Sequence, residues 1–178
     1  MATHLAFLRA INLGAKRKFP KGEISASVEA AGFTDVATYI NTGNVRFTTR
    51  MRSRPRIEAA LERAFLANRG FDVPTIAFTR AEFARVAADS EELHDESLTR
   101  HYVWLLKEEP DDDLRRQVEA RSDGHHRVVV RGRAAHLLLG TGYAEGAVDP
   151  LRAERLLGVC TNRNHNVVTT LADKWCRP

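Results

Sequence analysis

The sequence predicts an α+β fold made of two related halves, and three observations support this prediction. Short β-like runs alternate with amphipathic helical stretches along all 178 residues. The order of these elements in the second half partly repeats the order in the first. No linker rich in Pro, Gly or Ser separates the halves, so we expect them to pack together.

The first half contains four predicted strands and two predicted helices. They are strands at 4–11, 36–40, 45–49 and 73–78, and helices at about 21–31 and 53–70. Residues 41–44 form the short Asn/Gly turn of a hairpin. Pro74 cannot donate a ladder hydrogen bond, so its strand is predicted at a sheet edge. The resulting order is that of the ferredoxin-like split βαβ unit.

The second half begins with a connecting helix that Thr79 caps, and Asp149 caps a later helix with Pro150 at its first position. Its other predicted elements are strands at 101–106, 127–130 and 134–139, and helices at 111–120 and 165–175. We expect the last strand of the repeat to be replaced or missing. The prediction is therefore a ferredoxin-like repeat at 1–79 and a partial repeat at 80–178 that packs on it and ends in a helix.

Charge is distributed unevenly along the chain, although the formal net charge is only +4. Residues 1–80 carry 13 Lys or Arg and 6 Asp or Glu, whereas residues 81–126 carry 6 and 13. Residues 127–178 carry 8 and 4. Charge runs of this kind are usually ordinary solvated faces, and attraction of a polyanionic partner to the basic end is the alternative interpretation.

The sequence predicts no metal site and no cofactor. Cys160 and Cys176 match no zinc-ligand spacing and are interpreted as reduced thiols of a cytoplasmic protein. Only His125 and His126 are adjacent, and neighbours on a strand point to opposite faces. We expect neither a signal peptide nor a membrane partner, because the start lacks a signal pattern and no apolar run reaches the roughly 18 residues of a membrane span.

Three polar stretches stand out together. They are FLRAINLG at 7–14, TYINTGNVRF at 38–47 and TNRNHNVV at 161–168. In order and spacing, over essentially the whole chain, they resemble the domain-of-unknown-function 1697 family of bacterial proteins. Its corresponding stretches read LLRGINVGG, TYIQSGNV, and TTRN followed by NTV. The resemblance implies two ferredoxin-like repeats and no established activity.

The sequence departs from the family pattern at several positions. Ala10 and Ala15 stand where Gly is usual, Thr42 replaces a Ser, and Asn162 replaces a Thr. The family usually has a Gly-rich loop ending in Ser-Lys before the third motif. Residues 140–149 contain no Lys and two acids, so we expect a flexible loop there rather than an anion site.

The three stretches offer Arg forks, side-chain amides, hydroxyls and a helix N-terminus, a mixture that suits phosphate. The candidate ligand-binding residues are Arg9, Asn12, Lys16, Arg17, Lys18, Tyr39, Asn41, Thr42, Asn44, Thr161, Arg163 and Asn164. We therefore expect a binder of nucleic acid or a nucleotide that uses the basic N-terminal half.

Two other interpretations stay open. The first is a small-molecule enzyme in which Arg9, Asn12, Asn44, Arg163 and Asn164 form one anion pocket. No G-x-S-x-G, P-loop or H-E-x-x-H motif is present, so catalytic residues are not assigned.

The second is a structural role for the motifs in an interaction module. Residues 41–44 would then supply turn chemistry, and Thr161 or Asn162 would cap the last helix. Arg9 and Asn12 would be buried hydrogen-bonding residues that join the two repeats. Tyr39 is interpreted as a core residue, with a base-stacking platform as its alternative.

Overall fold

The computed structural model describes residues 1–14, 16–143, 147 and 149–177. Those residues form two four-stranded antiparallel sheets and six helices. In chain order the elements are β1 (Ala2–Leu8), α1 (Lys21–Ala30), β2 (Thr34–Tyr39), β3 (Asn44–Thr49), α2 (Arg54–Arg69), β4 (Thr75–Thr79), α3 (Arg80–Leu93), β5 (Arg100–Leu106), α4 (Asp112–Glu119), β6 (His126–Arg131), β7 (Ala134–Leu139), α5 (Glu154–Leu157), β8 (Cys160–Asn164) and α6 (His165–Trp175). The chain divides into two compact units, Met1–Phe83 (unit 1) and Ala84–Pro178 (unit 2). No helix in the described ranges is both long and apolar enough for a membrane crossing.

The sheet of unit 1 has the strand order β2-β3-β1-β4. Alternation along β1 directs Ala6 and Leu8 into a core with apolar residues of α1 and α2. Phe7 lies on the opposite face of β1, where its ring centroid is 5.0 Å from that of Phe83 in α3. Both faces of this strand are therefore buried.

The sheet of unit 2 has the matching order β6-β7-β5-β8. One face carries an apolar core in which Trp104 and Leu137 of the sheet join Val118 of α4 and Leu157 of α5. On the other face, α6 contacts β5 and β8. The C-terminal part of α3 adjoins the same face, because the side chains of Ser90 and His165 are hydrogen-bonded.

The expectation that the second repeat lacks its last strand is wrong. Residues Cys160–Asn164 form β8, which pairs antiparallel with β5. The sequence hides this strand because its buried positions include Thr161 and Arg163 rather than an apolar alternation. Unit 2 thus has four strands, and α6 follows them as predicted.

The helix predicted after Asp149 is shorter than expected. Ala153, and not Asp149, occupies the N-cap position, while the carboxylate of Asp149 accepts hydrogen bonds from the backbone N–H groups of Ala153 (2.9 Å) and Glu154 (2.8 Å). The helix begins only at Glu154, so Pro150 precedes it instead of occupying its first position.

Helix carboxylates protect an edge strand in each sheet. Glu58 and Glu62 of α2 accept hydrogen bonds from the backbone N–H groups of Ala77 and Thr75 on β4, each at 2.9 Å. In unit 2, Glu119 accepts one from the N–H group of Val130 on β6, also at 2.9 Å. An edge strand whose N–H groups are already bonded is a poorer template for pairing with another chain.

The bond from Ala77 to Glu58 predicts a measurable cost when the acceptor is removed. Glu58 is almost completely buried, and Glu58→Ala removes the acceptor of the hydrogen bond from the Ala77 N–H group. We expect the free energy of unfolding to fall by about 1–3 kcal/mol in urea titrations. Glu58→Gln keeps an acceptor oxygen and should lose less, while the exposed control Glu29→Ala should change stability by no more than about 0.5 kcal/mol. Equal effects of Glu58→Ala and Glu29→Ala would contradict this assignment.

Candidate functional site

The loop between β1 and α1 is attached to the β2–β3 hairpin turn through Asn12. The Asn12 side-chain amide donates to the backbone oxygens of Asn41 (2.5 Å) and Phe19 (3.3 Å), and its Oδ1 accepts from the backbone N–H of Phe19 (2.8 Å). The Asn12 backbone N–H donates to the carbonyl oxygen of Arg17 at 2.7 Å. One side chain therefore joins both ends of the loop to the turn.

Arg17 fixes the same loop from the other side. Its Nε donates to the carbonyl oxygen of Ala10 (2.5 Å), and its Nη2 donates to that of Asp72 (2.6 Å). The guanidinium carbon lies 4.6 Å from the centroid of the Phe71 ring, a cation–π distance. Arg17 thus connects the β1–α1 loop with the segment before β4.

The hairpin turn is closed by Asn44. Its side chain is buried and donates to the carbonyl oxygen of Tyr39 (3.0 Å) and to the hydroxyl of Thr42 (2.9 Å). The carbonyl oxygen of Gly43 accepts a hydrogen bond from the backbone N–H of Leu8 at 2.8 Å. These bonds support the interpretation of residues 41–44 as turn chemistry.

Several residues of these two segments have left-handed backbone conformations. Ala10 and Asn12 both have φ of 56°, Ile40 has 47°, Gly43 has 77° and Gly14 has 67°. Such conformations cost a non-glycine residue free energy and persist where the surroundings enforce them. The value at Ala10 explains why Gly is usual there in the family that the sequence resembles. The other such position, Ala15, lies outside the described residues.

Exposed cations follow the left-handed positions. Lys16 and Lys18 are exposed, and Arg9 is half-buried at the end of β1. The chain then enters α1 at Lys21 after Pro20, with no side-chain cap on the helix. A helix N-terminus carries unbonded N–H groups and a partial positive charge. The acid in the first turn, Glu23, is bound by Arg69.

The third motif occupies β8 and the start of α6 in unit 2. The buried Arg163 donates to the hydroxyl of Thr161 (3.0 Å) and the carbonyl oxygen of Asn162 (2.5 Å), and burial lowers the pKa of its guanidinium to about 9. Asn164 caps α6 by accepting a hydrogen bond from the N–H group of Val167 at 2.8 Å. A capping role for this motif was expected at Thr161 or Asn162, but Asn164 supplies it.

The aromatic side chains of the first sheet do not form a base-stacking surface. Phe7 and Phe47 are fully buried on the central strands β1 and β3. Tyr39, interpreted from the sequence as core, is half-buried at the end of β2. Stacking of exposed bases requires exposed rings, so contacts of this unit with a nucleic acid would fall on its phosphates.

The acidic stretch of the sequence is partly neutralised within unit 2. Arg131 on β6 donates to the carboxylates of Asp89 (2.8 Å) and Glu92 (2.9 Å) on α3. In the first turn of α4, Asp112 pairs with Arg115 at 2.9 Å and Asp113 pairs with Arg116. These pairs favour an ordinary solvated face over an acidic site.

Unit 2 also contains a group of histidines that the sequence analysis did not assemble. The rings of His94, His101 and His165 are nearly parallel, with centroid separations of 3.9 Å (94 to 165), 5.3 Å (101 to 165) and 5.6 Å (94 to 101). His136 adjoins them, because its Nδ1 lies 3.2 Å from Nε2 of His101. We call these four residues the histidine cluster.

Sheet register explains how residues so far apart in sequence meet. His101 on β5 pairs with Leu138 on β7, which places His136 two residues away as a diagonal neighbour. His165 begins α6 on the same face. The available signal was a single histidine inside the apolar run AAHLLL of β7.

Comparisons with known proteins identify the family and the fold. A model of a family of proteins of unknown function, DUF1697, matches residues 1–136, and the chain belongs to that family. This confirms the resemblance, although the third motif lies beyond the matched residues. No curated protein matches the chain. A solved structure titled as the conserved bacterial protein SP0830 from Streptococcus pneumoniae covers 99% of each chain at a TM-score of 0.75 and 20% identity, a likeness in fold.

Gly43 provides a direct test of how tightly the turn contacts β1. A Cβ atom there would lie 2.7 Å from Cβ of Leu8 and 2.8 Å from Cδ1 of Ile11, at a φ of 77°. We expect Gly43→Ala to lower the free energy of unfolding by roughly 2–4 kcal/mol, since steric overlap adds to backbone strain. Gly14→Ala has a similar φ but an open surrounding, so it should cost only about 1 kcal/mol. Thermal and urea unfolding of both variants measure the two losses in free energy of unfolding. Equal losses would show that the close approach of Gly43 to Leu8 and Ile11 does not determine the cost.

Proposed function

We propose that the protein binds a phosphate-containing ligand, a nucleic acid or a nucleotide, at the β1–α1 loop of unit 1. The observation that carries the proposal is a basic loop whose described residues are held by hydrogen bonds of its own side chains. Asn12 and Arg17 hold the backbone, while Lys16 and Lys18 remain exposed beside the N-terminus of α1. A preorganised cationic loop loses little conformational entropy when it binds an anion.

The charge of unit 1 supports the same proposal. Residues 1–83 carry 13 Lys or Arg and 7 Asp or Glu. Arg50 and Arg52 are exposed in the segment that joins β3 to α2, and Arg56 is exposed in the first turn of α2, so all three add to the positive potential of the unit. Such a surface binds phosphates through charge and without base recognition, so its affinity depends steeply on salt.

The hydrogen bonds favour two different roles among the candidate ligand-binding residues: some maintain the fold, and others contact the ligand. Asn12, Asn44, Arg163 and Asn164 each form side-chain hydrogen bonds within their own unit. The same four residues belong to the anion pocket of the enzyme interpretation, and no observation favours that pocket. In the proposal, they maintain the fold and the exposed lysines meet the ligand.

We also propose that each unit is a ferredoxin-like repeat. The element order of each unit and the equivalent strand orders support this. The proposed boundary between the repeats stays at 79/80, where β4 ends and α3 begins. A bacterial, cytoplasmic setting is proposed as well, since the family resemblance and the free Cys160 and Cys176 are compatible with it.

The function can be tested by fluorescence polarisation with a labelled single-stranded DNA 20-mer and a labelled ADP as probes. We expect binding at about 50 mM salt that weakens steeply at about 200 mM. Lys16→Ala/Lys18→Ala should weaken binding of the DNA by roughly tenfold or more. It should also lower the slope of log affinity against log salt by about 1.4, since each single-strand phosphate contact contributes about 0.7.

The matched control removes two exposed positive charges from unit 2, in Arg121→Ala/Arg155→Ala. This control should bind the probes nearly as the parent chain does. Equal weakening by both double variants would show a diffuse charge effect and reject the loop as the site. If neither the DNA probe nor the ADP probe binds at about 50 mM salt, the proposed function is wrong.

A further inference from the structure

The histidine cluster of unit 2 presents imidazole nitrogens at the spacing of a metal site. One nitrogen from each of His94, His101 and His165 lies within 4.8 Å of the other two. The cluster joins separate segments of the unit, because His94 directly follows α3, His101 is in β5 and His165 begins α6. Its geometry is therefore set by the packing of both helices on the sheet.

The burial of these rings leaves polar nitrogens without partners. His101 is 4% exposed and His136 is fully buried, yet Nδ1 of His101 and Nε2 of His136 have no hydrogen-bond partner. Burial and the charges that neighbouring histidines would carry lower the pKa of His101 to about 3, and burial lowers that of His136 to about 4. A neutral imidazole has one lone pair, on the ring nitrogen that bears no proton.

Outer hydrogen bonds select which nitrogens are free to bind a metal. If Nδ1 of His165 donates to Oγ of Ser90 at 3.0 Å, the lone pair of His165 is on Nε2. If Nε2 of His101 donates to Nδ1 of His136 at 3.2 Å, the lone pair of His101 is on Nδ1, the buried nitrogen without a partner. Metal-binding histidines are commonly oriented by such a second hydrogen bond on the other ring nitrogen.

We propose that His94, His101 and His165 form a binding site for a divalent transition-metal ion, with Ser90 and His136 as positioning residues. This proposal replaces the expectation from the sequence that the chain has no metal site, and it is independent of the phosphate site in unit 1. Three neutral imidazoles suit Zn²⁺ and its neighbours in the transition series rather than Mg²⁺ or Ca²⁺.

Three nitrogen ligands leave a fourth position open on a tetrahedral ion. Sites with three protein ligands and an open position are typical of zinc that binds water or a substrate, whereas structural zinc has four protein ligands. The open position would therefore take water or a small anionic ligand.

Binding requires the ligands to approach one another slightly. Zn–N bonds of about 2.0–2.1 Å place tetrahedral nitrogens about 3.3–3.4 Å apart, less than the 4.8 Å that bounds the cluster. His94 is exposed and follows the end of α3, so its side chain has room to rotate toward the two less exposed ligands. The nearly parallel stacking of His94 on His165 is thus expected to change when metal binds.

The test uses the full chain without an affinity tag, after chelator treatment, titrated separately with Zn²⁺ by calorimetry and with Co²⁺ by visible absorption. We expect one ion per chain and the intense visible bands of four-coordinate Co²⁺. His94→Ala and His165→Ala change exposed or half-buried positions and should each abolish the Co²⁺ bands. His136→Gln should weaken binding by about 10–100-fold, as the loss of an outer partner does.

His125→Ala is the matched control, since it removes an exposed histidine outside the cluster and should leave the Co²⁺ bands unchanged. His101→Gln tests the buried ligand, and circular dichroism verifies that this variant folds. Absence of stoichiometric binding by the parent chain would overturn the proposal. Unchanged Co²⁺ bands in His94→Ala or their loss in His125→Ala would do so as well. If His101→Gln does not fold, the His94 and His165 variants decide the question.

Discussion

The proposed phosphate site of unit 1 depends on the hydrogen bonds that the side chain of Asn12 forms. Its amide binds backbone atoms of Asn41 and Phe19, so the loop that leaves β1 and the turn between β2 and β3 are held together. Because Asn12 itself has a positive φ, its backbone conformation and its hydrogen bonds must form together. Lys16 and Lys18 are exposed in the loop that these hydrogen bonds attach to the turn.

The two units repeat one architecture but place their polar side chains differently. Each sheet has the same strand order, and in each a helix glutamate satisfies an N–H group of an edge strand. In unit 1 the two lysines of the proposed site, Lys16 and Lys18, lie in a loop and are exposed. In unit 2 His101 and His136 lie on the sheet face and are buried. The exposed lysines of unit 1 suit an anion that binds from solution. The buried histidines of unit 2 suit a metal ion that binds a ring nitrogen without a hydrogen-bond partner.

Much of the fold was predictable because local signals agreed with tertiary packing. The hairpins have Gly at their turns, and the predicted cap at Thr79 forms, since its hydroxyl accepts a hydrogen bond from the N–H group of Glu82 at the start of α3. Strand β8 was missed because an edge strand can bury Thr161 and Arg163 when their polar atoms find partners. The helix predicted after Asp149 began too early, because the sequence placed Asp149 directly before its first residue. In the structure Asp149 lies in the preceding loop and accepts hydrogen bonds from the N–H groups of Ala153 and Glu154.

The sites were less predictable than the fold. The link between Asn12 and Asn41 spans two loops, and no local pattern indicates that such loops meet. The histidine cluster depends on the register of β5 with β7 and on the packing of α3 and α6, neither of which a spacing rule contains. In both cases the residue types were visible in the sequence, but their juxtaposition was not.

The most direct measurement of the central claim is amide chemical-shift mapping by NMR during titration with the single-stranded DNA 20-mer. The account predicts that the largest shifts fall on residues 9–24, the β1–α1 loop and the first turn of α1, and that they diminish as salt is added. Shifts concentrated in unit 2, or shifts that salt does not diminish, would contradict it.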